Sequence, residues 1–458
     1  MLMNFMNGRR RLALVALCGL ALMSPLATPQ ALAQSGGNGQ QGQQGSQEYV
    51  ARWNVTTWTT RTRGQDLQAQ IDLSRSTIQR DAYVFYEGDS GLYPQPGPHM
   101  IDADPGYMAR HLEAFRRHVA AKIPDANASG YACIDWESWH PLWSLTPNTA
   151  SNQGRDAIDK DFKNDWEEHI LATRPNLIRG LTGADRDNAL KRSYEEVTKR
   201  FFLDTLAEAK RFRPNIKWGF YGFPAREFYT FWSVRADPWK RVNETELTWL
   251  FSAVDVLFPT IYAVKVAVEG RTPDPARHEV PAEMNERFIL DNVAEAVRVS
   301  QGKPVFAYVH FRYHPSLPRG IAETWVNEVN LRQQIELPKR AGAAGIMIWD
   351  CIESEQHFRD LDRIVQQQVI PRVDAVAVMP RSGNGPQLSS GPAPSGSPQQ
   401  ASASFSKAAA SSASAKAAAA KATQAKAPVR SVIRLPNGRV VLSSQKPGGA
   451  SASAPSDR

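Results

Sequence analysis

The chain has 458 residues, 54 Lys and Arg against 46 Asp and Glu, and a formal net charge of +8. Three of those charges lie in residues 1–34 and a net nine in residues 380–458, which leaves −4 for residues 35–379. The bulk of the chain is therefore not a strongly cationic binder, and no nucleic-acid partner is expected from its charge.

At the N-terminus Arg9 to Arg11 precede an apolar stretch from Leu12 to Met23, and Ala31-Leu32-Ala33 stands just before Gln34. Basic, apolar and small residues in that order read as a secretory signal peptide over residues 1–33. The apolar stretch is short of the roughly 20 residues that span a bilayer. Cys18 lies within it, but Leu17 is too bulky for a lipoprotein cleavage site. No other segment is apolar enough to span, so a secreted or periplasmic protein without a membrane span is expected. Residues 34–47 read as a linker.

Residues 48–372 suffice for one large domain. In chain order the pattern predicts strands at Tyr49 to Trp53 and Ala82 to Tyr86, then a helix at Met108 to Ala121. A strand at Gly130 to Asp135 and a helix at Asp187 to Arg211 follow. Strands at Lys217 to Tyr221 and Val254 to Phe258 lead to a helix at Glu283 to Ser300. The last units are a strand at Pro304 to Val309, a helix at Ala322 to Arg340, a strand at Gly345 to Trp349 and a helix at Glu353 to Gln367. Pro124, Pro214, Gly302 and Gly342 close several of the helices. Short apolar runs alternating with helical stretches indicate an α/β fold. Seven such strands favour a distorted TIM-like (β/α) barrel with parallel strands, in which function gathers at the carboxyl ends of the strands.

Residues 373–458 form a basic, low-complexity segment, with little but alanine and serine between Lys407 and Lys421. Such a composition buries too little apolar surface to offset its ordering entropy, so it reads as mostly disordered. It is a candidate for contacting anionic polymers. Within it, Val429 to Ser444 holds two β-branched runs around Asn437-Gly438, which reads either as a hairpin or as a sticky patch. Beyond the signal peptide only Cys133 and Cys351 remain, too few for a disulfide framework. Each lies in an apolar stretch and reads as a buried thiol, with pairing left open. His310 and His314 are a weak pair, zinc-type Cys/His spacing is missing, and so is a glycine-rich phosphate loop; no metal or cofactor is expected.

The most informative string is Ile134-Asp135-Trp136-Glu137-Ser138-Trp139-His140-Pro141-Leu142-Trp143. Side chains alternate along a strand, so Asp135 and Glu137 point one way and Trp136 the other. Two carboxyls on one face repel, and partial burial among aromatics keeps one of them protonated near neutral pH, which supplies a general acid. The blander reading, a salt-bridged rim, is disfavoured by Trp136, Trp139 and Trp143, since aromatic faces stack on pyranose rings and exceed what a polar rim needs. Tyr221, Tyr262 and Trp349 close three other strand ends, in Trp218 to Pro224, Phe258 to Tyr262 and Gly345 to Trp349.

These strings resemble the animal hyaluronidases, glycoside hydrolase family 56, in order over about residues 50 to 370. The matching strings are Trp53-Asn54-Val55, Phe85-Tyr86, Gly91-Leu92-Tyr93-Pro94, Asp135-Trp136-Glu137 with Trp139 and Pro141, Trp218 to Pro224, Phe258 to Tyr262, Val293 to Ala296, and Gly342 to Trp349. The resemblance implies an endo-β-N-acetylhexosaminidase that acts on a polysaccharide with retention and without a protein nucleophile. Glu137 would be the acid and base, Asp135 would orient the acetamido group with help from Tyr262, Trp349 would pack on the N-acetyl methyl, and Tyr86 and Tyr221 would line the same subsite. Trp139 and His140 are further candidates for substrate contact. His140 stands where the family usually has arginine, and so does Asn292 before Val293. Arg226 and Glu227 occupy the place of a disulfide cysteine, and the cysteine-rich C-terminal module is replaced by the low-complexity segment. These departures leave the substrate open between hyaluronan or chondroitin and an uncharged or cell-wall N-acetylglucosamine polymer. A non-catalytic glycan-binding protein is a further alternative.

Overall fold

The computed structural model describes residues 48–95, 97–146, 162–224, 238–380, 431–434 and 440–443. The proposed signal peptide, the linker, Arg226, Glu227 and most of the low-complexity segment lie outside the described residues. The chain divides into one unit over Met1–Gly385 and another over Pro386–Arg458.

In the first unit the strands are β1 (Val50–Thr57), β2 (Ala82–Tyr86), β3 (Gly130–Asp135), β4 (Ile216–Phe220), β5 (Val266–Val268), β6 (Glu279–Pro281), β7 (Phe306–Val309) and β8 (Gly345–Ile352). β8 pairs in parallel with β1 on one side and β7 on the other. β3 lies in the same way between β2 and β4. Two seams join these sheets. Residues 256–260 run between β4 and β7, bridging Tyr221 to Phe258, Leu257 to Val305 and Thr260 to Tyr308. The stretch predicted as a strand at Val254 to Phe258 is thus a series of isolated bridges. Pro259 has no N–H to donate, and only its carbonyl joins the ladder, accepting from Tyr308 N at 2.8 Å. At the other seam Gln79, just ahead of β2, exchanges bonds with β1, donating to Ala51 O at 3.0 Å and accepting from Trp53 N at 2.7 Å. Seven parallel staves therefore close into a TIM-like barrel.

Strand alternation divides the core. On β8, Ile346, Ile348 and Ile352 face outward into the apolar layer beneath the helices. Met347 faces inward to Cys133, Val256, Phe258, Phe306 and Tyr308, and Trp349 packs on that inner cluster. Gly345 is required where β1 and β8 begin, because a Cβ there would collide with the Val50 carbonyl.

The helices are α1 (His99–Ala103), α2 (Tyr107–Lys122), α3 (Phe162–Thr173), α4 (Gly183–Phe212), α5 (Pro238–Thr245), α6 (Thr248–Ala253), α7 (Ala282–Val299), α8 (Glu328–Arg340), α9 (Glu355–Ile364) and α10 (Ile370–Val378). α8 starts later than the predicted Ala322. Val326 N donates to Phe311 O and Tyr313 N to Thr324 O, which ties that stretch to the end of β7. Asn327 then caps α8, its side chain accepting from Asn330 N. The predicted last helix, Glu353 to Gln367, runs as α9 and then a π turn at Val365–Val369 into α10, where Pro371 lacks the N–H that would continue the ladder. α10 passes the expected boundary at residue 372, and Lys339 Nζ donates to the carbonyls of Val376 (2.5 Å) and Ala377 (3.1 Å) at its end. α3 and the small parallel pair β5–β6 were not predicted. No described helix is long and apolar enough to cross a membrane.

In the second unit β9 (Ser431–Arg434) pairs antiparallel with β10 (Val440–Ser443), Arg434 opposite Val440; the expected turn at Asn437-Gly438 lies outside the described residues.

Candidate active site

β3 ends at Asp135, and the alternation carries on for two more residues. Trp136 turns outward and is buried, its Nε1 donating to Ser90 Oγ at 2.7 Å. Asp135 and Glu137 share the other side, and their carboxyls hydrogen-bond to one another. Asp135 is half-buried and Glu137 reaches solvent. Register sets Tyr86 of β2 directly beside Asp135.

Burial lifts the Asp135 pKa well above the usual carboxylate range, and the charges of Glu137 and Glu87 lift it further. Glu137 is raised by lost hydration and then by Glu87, while the hydrogen bond from Asp135 pulls it back. Its contact with solvent keeps that loss of hydration partial. Both carboxyls of the pair are therefore raised, and each favours a proton more than an isolated carboxyl does. Oδ1 of Asp135 is buried without a hydrogen-bond partner among the described residues, an acceptor aimed at a donor that the fold does not supply.

Glu87, one residue past β2, escaped sequence reasoning. Its Oε1 accepts from the backbone N–H of Glu137 (3.1 Å) and of Ser138 (2.7 Å), and its Oε2 accepts from Ser138 Oγ at 2.8 Å. It both fixes the peptide that carries Glu137 and adds negative charge beside the pair. The rule that singled out Asp135, a carboxylate at a strand end, would have found Glu87 too.

The aromatic residues predicted for the site converge. Trp349 Nε1 donates to the Tyr86 hydroxyl at 2.8 Å. Tyr262 stacks on Trp349 with centroids 5.9 Å apart and planes at 26°, and Tyr221 lies 6.3 Å from Tyr262, hydroxyl bonded to hydroxyl. Burial raises the pKa of all three tyrosines, so they stay protonated and able to donate. Asn54 Nδ2 donates to the Tyr308 hydroxyl at 2.6 Å beneath them, a contact the sequence did not reveal.

Of the two further predicted substrate contacts, Trp139 is located elsewhere, in the outer layer. Trp139 is 2 % exposed, stacked on Tyr93 at 5.3 Å and packed against Phe201 and Phe202 in the outer layer. The chain has left the strand by then, so the period of two no longer sets its direction. His140 is half-buried against Phe223 at 4.9 Å, its Nδ1 accepting from Leu142 N. Burial alone pushes its pKa down to about 3, so it contributes no charge. Asn292 is buried in α7 and bonds the Phe288 carbonyl, among helices and not in the groove. Cys133 and Cys351 are both free thiols.

Residues 41–381 match the model of the hyaluronidase family. Human hyaluronidase-3 is 28% identical over 286 residues, covering 58% of this chain and 60% of that protein. Bovine hyaluronidase-2 is 26% identical over 355 residues, covering 71% and 68%. This chain thus spans less than two thirds of the human relative. Among solved structures, bee venom hyaluronidase superposes with a TM-score of 0.54 at 22% identity, over 71% of this chain and 100% of that one. The same enzyme in complex with a hyaluronic acid tetramer also gives 0.54. The barrel is therefore the hyaluronidase barrel, and with nearly three quarters of its length inside the family match, the chain belongs to the hyaluronidase family of glycoside hydrolases.

Proposed function

We propose that this chain is an exported endo-β-N-acetylhexosaminidase that cleaves hyaluronan or chondroitin by a retaining, substrate-assisted route. The observation that carries the reading is the placement of Asp135 and Glu137 on one side of the end of β3, both carboxyls raised by burial and by Glu87, beside the wall of Tyr86, Tyr221, Tyr262 and Trp349. An acetamido N–H would donate to the unpartnered Asp135 Oδ1, which favours the carboxylate form there and moves the proton to Glu137. Glu137 would then protonate the glycosidic oxygen as the acetamido oxygen attacks the anomeric carbon and the leaving C–O bond breaks. The resulting oxazolinium carries positive charge next to anionic Asp135, the arrangement that lowers its energy. Tyr262 would hold the acetamido group against Asp135. Glu137, now a carboxylate, would take a proton from water as that water opens the ring. Two displacements at one carbon restore its configuration.

One observation favours a second reading, the same chemistry on an uncharged N-acetylglucosamine polymer. His140, in the place where the resemblance expects arginine, is held neutral and supplies no partner for a uronate carboxylate. Mass analysis of products from hyaluronan, chondroitin, chitin oligosaccharides and peptidoglycan, with the anomer recorded, separates the readings. Shortened hyaluronan with retained configuration, lost in Glu137→Gln, is expected. Inverted products would overturn the mechanism, and glycan binding without cleavage at any pH would indicate the non-catalytic alternative.

A further inference from the structure

Along the outer face of β8, Ile346, Ile348 and Ile352 are each 0% exposed in the apolar layer, yet the position between the last two is Asp350, itself 1% exposed. A carboxylate buried there gains little or no stability over an apolar residue of similar size, because desolvation offsets its pairing. Its partners indicate what it does instead. Oδ1 accepts from Arg312 Nη2 at 2.8 Å and from the backbone N–H of Cys351 at 2.7 Å. His357 Nε2 lies 3.3 Å from Oδ2, and His310 Nε2 lies 3.4 Å from Oδ1. Burial pushes the Asp350 pKa up, but His310, His357 and Arg312 outweigh it and hold the carboxyl well below its usual range, as an anion.

His310 is the member that reaches the groove. It is 4% exposed, and its ring stands edge-on to Trp349 at 5.1 Å and 66° and inclined to Tyr262 at 5.5 Å and 57°. The imidazole thus lies against the stacked pair, with Nε2 in ion-pair contact with Asp350 Oδ1 at 3.4 Å and without a hydrogen-bond partner among the described residues. Trp349 and Asp350 are consecutive in the chain, so one strand end carries both the aromatic plate and the charge that orients the ring behind it.

We propose that Asp350 is a positioning residue, which through His310 fixes the spacing of Trp349 and Tyr262 and so sets how large an N-acyl group the site accepts. This rests on the proposed function, in which those rings receive the acetamido group. A rigid wall rejects one extra methylene by about tenfold or more, and a loosened wall does not.

The test compares kcat/KM for N-acetyl and N-propionyl oligosaccharides of the polymer that the full-length enzyme cleaves. The wild type is expected to prefer N-acetyl by about tenfold or more. In Asp350→Asn and in His310→Gln the preference should shrink to about two- to threefold, mainly through a lower kcat on the N-acetyl substrate. Trp139→Phe, a change in the outer layer, should lower the melting temperature and leave the ratio unaltered. A change that only weakens folding lowers both rates together, so an unaltered ratio in folded Asp350→Asn or His310→Gln overturns the proposal. If the wild type cleaves neither substrate, the proposed function fails. The wall is then read from Kd values for N-acetyl- and N-propionylglucosamine, where equal discrimination by wild type and Asp350→Asn overturns the positioning role.

Discussion

Asp135 and Asp350 stand near the ends of two strands on opposite sides of one barrel, the first half-buried and the second fully buried, and their pKa values are shifted in opposite directions. Desolvation raises both pKa values. Around Asp135 the charges that act most strongly are those of other carboxylates, Glu137, Glu87 and Asp89, and they raise its pKa further. Around Asp350 they belong to His310 and Arg312, and the proton is lost. Burial alone therefore does not decide what a carboxyl can do; the sign of its neighbours does. In the proposed mechanism one wall supplies the proton, and in the proposed positioning role the other uses a fixed charge to hold rings in place.

The largest effect should come from removing the proton's delivery point. Glu137→Gln should lower kcat by about 10²–10⁴-fold, the usual contribution of a general acid. The melting temperature should stay level, since Glu137 is exposed and an amide of the same shape replaces its carboxyl. A comparable rate in wild type and variant, measured by polymer size, would assign the acid elsewhere. Next come the tryptophans. Trp139→Ala should cost about 3–5 kcal/mol of stability as a large core truncation, seen in denaturant midpoints, with KM unchanged in the protein that remains folded. Trp349→Ala should reverse that pattern, with a strong loss of kcat/KM and a smaller loss of stability because the ring is only half-buried.

The two aspartates should also give stability opposite slopes with pH. The folded pKa of Asp135 lies above its unfolded value of about 3.9, so the folded state holds the proton longer. Its contribution is full below about pH 4 and is lost as pH rises through the folded pKa. Asp135→Asn should therefore gain on the wild type as pH rises. For Asp350 the folded pKa is depressed, so its contribution is present above about pH 4 and is lost as pH falls toward the folded value. The deficit of Asp350→Asn should be largest near neutrality and shrink in acid. The melting temperatures of the two variants relative to the wild type should therefore slope in opposite directions with pH. Parallel curves for the two variants between pH 3 and 8 would contradict the opposed electrostatics.

The compensated wall was the harder to read in the sequence. Period-two alternation located Asp135, Glu137 and the strands carrying Tyr86 and Trp349, because those side chains obey the local rule that a strand imposes. The same rule failed at Trp139, four residues past the end of β3, where packing against Tyr93 sets the direction. His310 and Arg312 stand two residues apart just past β7, and the parallel pairing of β7 with β8 brings them to Asp350, while His357 reaches it from α9, the helix that follows β8. The pairing of β7 with β8 is not encoded by spacing within one segment. Pro259 likewise turns an apolar run that reads as a continuous strand into isolated bridges.

The finest probe of the contrast is Glu87→Gln, which takes one negative charge from the Asp135 side and leaves the Asp350 side alone. The amide oxygen of glutamine can still accept from the backbone N–H of Ser138, so the turn carrying Glu137 is retained. What changes is the repulsion that helps to raise both carboxyls of the pair. With that repulsion gone, the pair releases its proton at lower pH, and the alkaline limb of kcat/KM should move toward acid. At acidic pH, where the pair is already protonated, the variant should match the wild type. A shift toward alkali, or a uniform loss at every pH, would mean that Glu87 acts by holding the backbone and that its charge contributes nothing.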